Sequence, residues 1–184
     1  MAHLSSRQLW LLLAAGCFGL AAGSIALTAW LGLHPCPLCI FQRLLFMILA
    51  PVGLVAALQG CRPIGHAAAV SFLLTAAGGA AAAGYQSWLQ TRPPAGIACG
   101  PGSPGPIERL VEQLGNWAPD LFLATGLCDE PALVILSLSL ANWALIAFLG
   151  CLVVAGWAIA RCVRAGAARG HRPEGDQAQG GGPP

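Results

Sequence analysis

Charge is what this chain of 184 residues lacks most: only 9% of it is Asp, Glu, Lys or Arg, against about 25% in a soluble domain. With 57% hydrophobic residues and a mean hydropathy of +0.70, the chain cannot cover a water-facing surface. An ordinary soluble domain is therefore excluded. Lysine is missing altogether, so all nine basic residues are arginine. In a chain this rich in Ala and Gly, that reads as genomic bias. A net charge of +2 gives no footprint for nucleic acid, and no such partner is expected. There is no internal repeat.

Long apolar runs are abundant: Leu9 to Leu33, Ile40 to Leu58, Ala67 to Leu89 and Leu133 to Ala160. A helix needs roughly 20 apolar residues to cross the hydrocarbon core, and backbone at that depth must satisfy its own hydrogen bonds. The sequence thus predicts an all-α integral membrane four-helix bundle over residues 1–165. Its spans lie at about 9–31, 41–58, 66–89 and 143–161, and its outer loops at about 32–40 and 90–142. Reading the first run as a cleaved signal peptide fits less well, because it exceeds the roughly 7–15 residues of a signal core and runs straight to a cysteine pair. Residues 166–184, rich in Gly, Pro and Arg, are expected to be a disordered cytoplasmic tail.

Arginine placement sets the orientation. With the N-terminus inside, Arg7, Arg62, Arg161, Arg164, Arg169 and Arg172 are internal. Arg92 and Arg109 are external and Arg43 lies at the outer edge. Cys36, Cys39, Cys99 and Cys128 then all face outward. In the long outer loop, Ile107, Leu110, Val111 and Leu114 share one helical face. They predict a short amphipathic helix that lies on the membrane surface or packs on the bundle.

The stretch "HPCPLCIFQR" (34–43) carries the chemistry. With Cys36 as helix cap, Pro37 takes the first helical position, where its missing N–H costs nothing. Cys39 falls in the first turn, facing the positive end of the helix dipole, where thiolates are favoured. Residues three apart can bridge. Half of a metal site is the other reading, but no second ligand pair follows and the outer loop has no histidine, so no metal is expected. Arg43 shares the Cys39 face one turn on. It either snorkels to lipid phosphate or stands as a fixed donor beside a thiolate, at a depth where a lipid-soluble molecule can dock. Cys99 and Cys128 bracket the long loop. A bridge between them is either a plain staple, contributing roughly 3.5 kcal/mol in the chain-entropy model, or a redox couple.

The motifs "PCPLCIFQR", "ACGPG" around Cys99, "GLCDE" around Cys128, and Trp143 at the head of the last span occur in this order. In these the chain resembles, over about residues 7 to 162, the disulfide bond formation protein B (DsbB) family of bacterial inner-membrane thiol oxidases. The resemblance implies a quinone-dependent protein-disulfide oxidoreductase that reoxidises a periplasmic DsbA-like dithiol oxidase. Cys99–Cys128 would be the shuttle disulfide, attacked at Cys99. Cys36 would bridge to Cys128 during transfer. Cys39 would adjoin the quinone, ubiquinone or menaquinone, with Arg43, Gln86 and Trp143 binding it. Two departures concern that pocket: Gln86 stands where members often have histidine, and Ala141 where many have proline.

Four cysteines stand outside this scheme. Cys17 and Cys151 fall within spans and read as small apolar filler. Cys61 and Cys162 fall at the inner face, where thiols stay reduced. The sharper alternative makes Cys17 and Cys151 a transmembrane dithiol conduit for reducing equivalents. A tetraspan scaffold with two structural disulfides is the non-catalytic alternative.

Overall fold

The computed structural model describes residues 5–91, 105–129, 131 and 133–170. Four helices in it are long and apolar enough to cross a membrane. Helix α1 (Ser6–Leu31) opens on a capping box: Gln8 N donates to Ser5 Oγ at 3.3 Å, and Ser5 N donates to Gln8 Oε1 at 2.7 Å. That reciprocal pair satisfies two of the amides a helix start leaves free. It ends at Gly32, whose φ of 58° suits a residue without Cβ. Helices α2 (Pro37–Gln59) and α3 (Pro63–Leu89) each begin on a proline, and α6 runs from Leu140 to Gly170.

These four helices close a ring in which α1 packs on α2, α2 on α3, α3 on α6 and, less extensively, α6 on α1. The diagonal is filled by Phe46 of α2 stacked on Phe148 of α6, with ring centroids 4.1 Å apart. Trp10 meets Phe72 edge-on at 5.3 Å. Gly79 permits this core, since a Cβ there would enter the Phe148 ring. At Gly78 and Gly84, small residues of the same helix, a Cβ would meet open space instead. Only one face of α3 meets α6, and the glycines off that face bring nothing together. The outer surface is apolar: Phe18, Leu74 and Val153 are each about two-thirds exposed or more, as a bundle solvated by lipid requires.

Among the residues between α3 and α6, those from 105 to 129 pack over one end of the bundle. Helix α4 (Pro106–Trp117) places Val111, its apolar stripe, against Ile40 and Phe122 in one buried cluster. The amphipathic helix therefore packs on α2, one of the two alternatives its periodicity allowed. A single turn, α5 (Pro119–Phe122), follows. A small hairpin, β1 (Val134–Ile135) with antiparallel β2 (Leu138–Ser139), then leads into α6. The apolar run beginning at Leu133 thus starts as a hairpin, and its helix begins only at Leu140. Helix α6 also continues through residues 166–170, which belong to the expected disordered tail; residues 171–184 lie outside the described residues.

Candidate functional site

Cys36 caps α2, and its sulfur accepts a hydrogen bond from Cys39 N at 3.4 Å. The cap is a β-region residue followed by proline, which fixes the chain direction into the helix and sets both sulfurs on its first turn. Cys36 Sγ donates to Cys39 Sγ at 3.0 Å, and both are free thiols. The Cys36 thiol is pushed far above the ordinary thiol range, first by this hydrogen bond and then by burial. It is the proton-bearing member of the pair. Gln86 of α3, 1% exposed, turns its amide nitrogen onto both sulfurs, 3.1 Å from Cys36 and 3.0 Å from Cys39. The Cys39 sulfur therefore receives donors from two sides, an arrangement suited to holding negative charge.

Arg43 is buried one turn beyond Cys39. Its Nε donates to Ser24 Oγ at 3.0 Å and its Nη1 to the Leu121 carbonyl at 2.9 Å. Its Nη2 reaches Thr28 Oγ1 at 2.7 Å and the Ser24 carbonyl at 3.3 Å. The guanidinium has five N–H donors, and four are occupied by these neutral oxygens. A cation held only by neutral acceptors keeps its full charge available to an anion nearby. It does not snorkel outward: α1 and α5 hold it inside.

A cavity of about 400 Å³ opens between α1, α2 and α6. Its wall is mainly apolar, with Leu27, Phe46 and Trp143 prominent, and its polar side is formed by Cys39, Gln42 and Arg43. Trp143 is oriented by the hairpin, since its Nε1 donates to the Ile135 carbonyl at 3.1 Å. Of the residues expected to bind a cofactor, Arg43 and Trp143 line this cavity. Gln86 does not; it lies on the sulfurs instead.

The loop after α5 docks beside the cysteine pair. Thr125 N and Gly126 N both donate to the Pro35 carbonyl, at 3.0 and 3.1 Å, and His34 Nδ1 lies 3.1 Å from Thr125 Oγ1. Gly126 is required for so close an approach, because a Cβ there would run into the His34 carbonyl. This docking buries Cys128 completely, in a cluster with Cys36, Leu38 and Ala82. Cys128 is disulfide-bonded. Cys99 lies outside the described residues, as does most of the Pro/Gly-dense stretch around it.

The other cysteines pair as well. Cys17 Sγ and Cys151 Sγ lie 3.8 Å apart inside the bundle. Cys61 and Cys162, expected as separate reduced thiols, form a disulfide with Cα atoms 5.7 Å apart. A cysteine's compartment carries no sign that the α2–α3 turn meets α6 at Cys162. Nor does the sequence mark Ser24 and Thr28 as the α1 partners of Arg43, and Gln42 is not among the residues expected at the site. For Gln42 a signal existed: Cys39, Gln42 and Arg43 are spaced i, i+3, i+4 and so share a helix face.

The chain has known relatives. The family profile of the disulfide bond formation protein DsbB matches residues 6–158. Disulfide bond formation protein B of Dechloromonas aromatica (strain RCB) is 43% identical over 73% of this chain and 81% of that protein. That of Azoarcus sp. (strain BH72) is 37% identical over 82% and 90%, and disulfide bond formation protein B 2 of Burkholderia lata is 38% identical over 82% and 88%. The match spans the cysteine pair, Arg43, Gln86, Cys128 and the bundle that holds them. This chain belongs to the DsbB family, and it is a multi-pass membrane protein-disulfide oxidoreductase, a thiol oxidase.

Proposed function

We propose that the protein reoxidises a periplasmic DsbA-like dithiol oxidase and delivers the electrons to a membrane quinone. The observation that carries this is a division of labour between two neighbouring sulfurs. Cys36 shares a buried cluster with Cys128, whereas Cys39 lies on the wall of the cavity with Arg43. The residues present fit a quinone: a largely apolar chamber large enough for a ring and part of a tail, with one cation and one thiol on its polar side. Bound there, a quinone would supply an acceptor for two electrons and two protons.

The chain's own residues account for the rest. The partner's thiolate attacks Cys99 of a Cys99–Cys128 disulfide, and Cys128 leaves as thiolate. Cys128 attacks Cys36 of an oxidised Cys36–Cys39 pair, and Cys39 leaves as thiolate. The second partner thiolate then attacks the mixed disulfide, so the partner departs oxidised and Cys99 is freed. Cys99 displaces Cys36 from Cys128, restoring Cys99–Cys128 and leaving Cys36 and Cys39 reduced. Arg43 and Gln86 hold the charge on Cys39. Arginine distribution supports the orientation, with both termini in the cytoplasm of the bacterial inner membrane and the four reacting cysteines in the periplasm.

The docked loop should set the rate of exchange between the two couples. Gly126→Ala is expected to slow the appearance of the Cys36–Cys128 bridge about tenfold, as two hydrogen bonds to Pro35 are lost. Acid quenching with thiol alkylation measures it, and an unchanged rate would show that this contact does not guide transfer.

A second reading, the dithiol conduit, draws on the proximity of Cys17 and Cys151. Thiol exchange needs sulfurs in contact. The seven residues from Cys17 to Ser24, which marks the depth of Arg43, correspond to ~10 Å along the helix, so among the described residues no relay of touching sulfurs links the tiers. The deciding experiment mixes purified protein anaerobically with reduced partner and a defined quinone, following quinone absorbance. Wild type and the Cys17→Ala/Cys151→Ala variant should both turn over at similar rates. Loss of turnover in that folded variant would favour the conduit, and no quinone reduction by wild type would end the proposal.

A further inference from the structure

Gln42 lies on the cavity wall yet is only 4% exposed. Its amide nitrogen donates to Gln86 Oε1 at 2.8 Å, and Gln86 in turn donates to Cys36 and Cys39. The chain of amides has one polarity. A thiolate has no proton to give, so Gln86 must turn its nitrogen toward the sulfurs. Its oxygen then faces Gln42 in the buried interior, where an oxygen without a donor costs about 1–3 kcal/mol. Gln42 supplies that donor. Without it, only the charge on the sulfur distinguishes the two ends of the Gln86 amide, which are nearly equal in size, and the orientation that serves the sulfur leaves the amide oxygen without a donor. Turned over, Gln86 would aim oxygen lone pairs at the sulfur that must carry negative charge.

We infer that Gln42 is a positioning residue: by donating to Gln86 Oε1 it locks the Gln86 amide with its N–H groups on Cys36 and Cys39, and so keeps Cys39 reactive. Gln42 touches the cavity and Gln86 touches the sulfurs, so this pair also forms the polar bridge between them. The inference rests on the proposed role of Cys39 as the sulfur facing the acceptor, and its test reads thiol chemistry with no quinone present.

The experiment measures alkylation of Cys39 by iodoacetamide in reduced, detergent-solubilised protein at fixed neutral pH, with mass spectrometry reporting the Cys39 peptide. Gln42→Leu should slow the reaction about fivefold, the order of one hydrogen bond lost next to charge. Gln42→Met, of similar length and with no donor, should slow it as much, because it too leaves the Gln86 oxygen unpartnered. In a Gln86→Leu background, Gln42→Leu should add nothing, because it acts through the residue already removed. Wild-type rates in both Gln42 variants, or full additivity with Gln86→Leu, would overturn the inference. If these rates follow the expected pattern while wild type consumes no quinone, the proposed acceptor fails and the positioning role stands. If quinone turnover falls in the Gln42 variants with thiol rates unchanged, the reverse holds.

Discussion

Cys39→Ser protein is expected to reduce no quinone in the steady state and to oxidise at most one equivalent of the DsbA-like partner. The reason lies in the placement of the sulfurs. Cys36 is buried beside Cys128 and its thiol is pushed up, first by its hydrogen bond to Cys39 and then by burial, so it favours the protonated form. Cys39 is the member of the pair that lines the cavity. A serine hydroxyl fits the same space, accepts the same Gln86 donor and cannot form or release a disulfide. The oxidising equivalent stored at Cys128 can be spent once, and no route remains to renew it. Counting oxidised partner against protein, with quinone absorbance followed in parallel, gives the stoichiometry. Repeated turnover by this variant would mean that another sulfur faces the acceptor.

Arg43→Ala should lower quinone reduction about a hundredfold, the order seen when one charged donor is removed from a site where negative charge develops. Exchange between the partner and the Cys128 disulfide should proceed at its normal rate, since among the described residues Arg43 hydrogen-bonds that loop through the Leu121 carbonyl alone. Arg43→Lys should recover only part of the loss. An ammonium is a point charge with three donors, and it cannot span Ser24, Thr28 and Leu121 as the planar guanidinium does. Stopped-flow measurement of the two half-reactions separates the effects. Equal loss in both would mean that Arg43 serves the fold of the loop rather than the acceptor site.

What the sequence revealed, and what it hid, follows from the range of each interaction. The cap at Cys36, the proline behind it and the Cys39–Arg43 spacing are local features. A helix converts them directly into geometry, so the reactive pair and its cation were legible. The four spans were legible because a bilayer imposes length and apolarity on each helix separately. The partners of Arg43 were not, since Ser24 and Thr28 reach it only once α1 is docked on α2. Gln86 was read, through family resemblance, as a cofactor group, and the packed bundle turns it onto the sulfurs. The hairpin before α6 gave no turn signal: Leu136 and Ser137 occupy positive φ, at 52° and 64°, where Gly or Asn would have announced a turn. Gly79 differs from Gly78 only in facing Phe148, which composition cannot express. The Cys61–Cys162 disulfide depends on where two helix ends meet, and a rule about compartments does not contain that information.

The cavity's wall includes Leu20, Trp143 and Ile146, and these same side chains are 37–51% exposed. Between them, on a bundle set in a bilayer, the chamber would communicate sideways, in the plane of the sheet of lipid. On the proposed function, its occupant would arrive by two-dimensional diffusion, while the protein thiol would arrive from the aqueous side onto a different surface. The two would not compete for one doorway. Disulfide production would then track the oxidation state of the dissolved carrier pool, which would couple the folding of secreted proteins to respiration without any dedicated sensor.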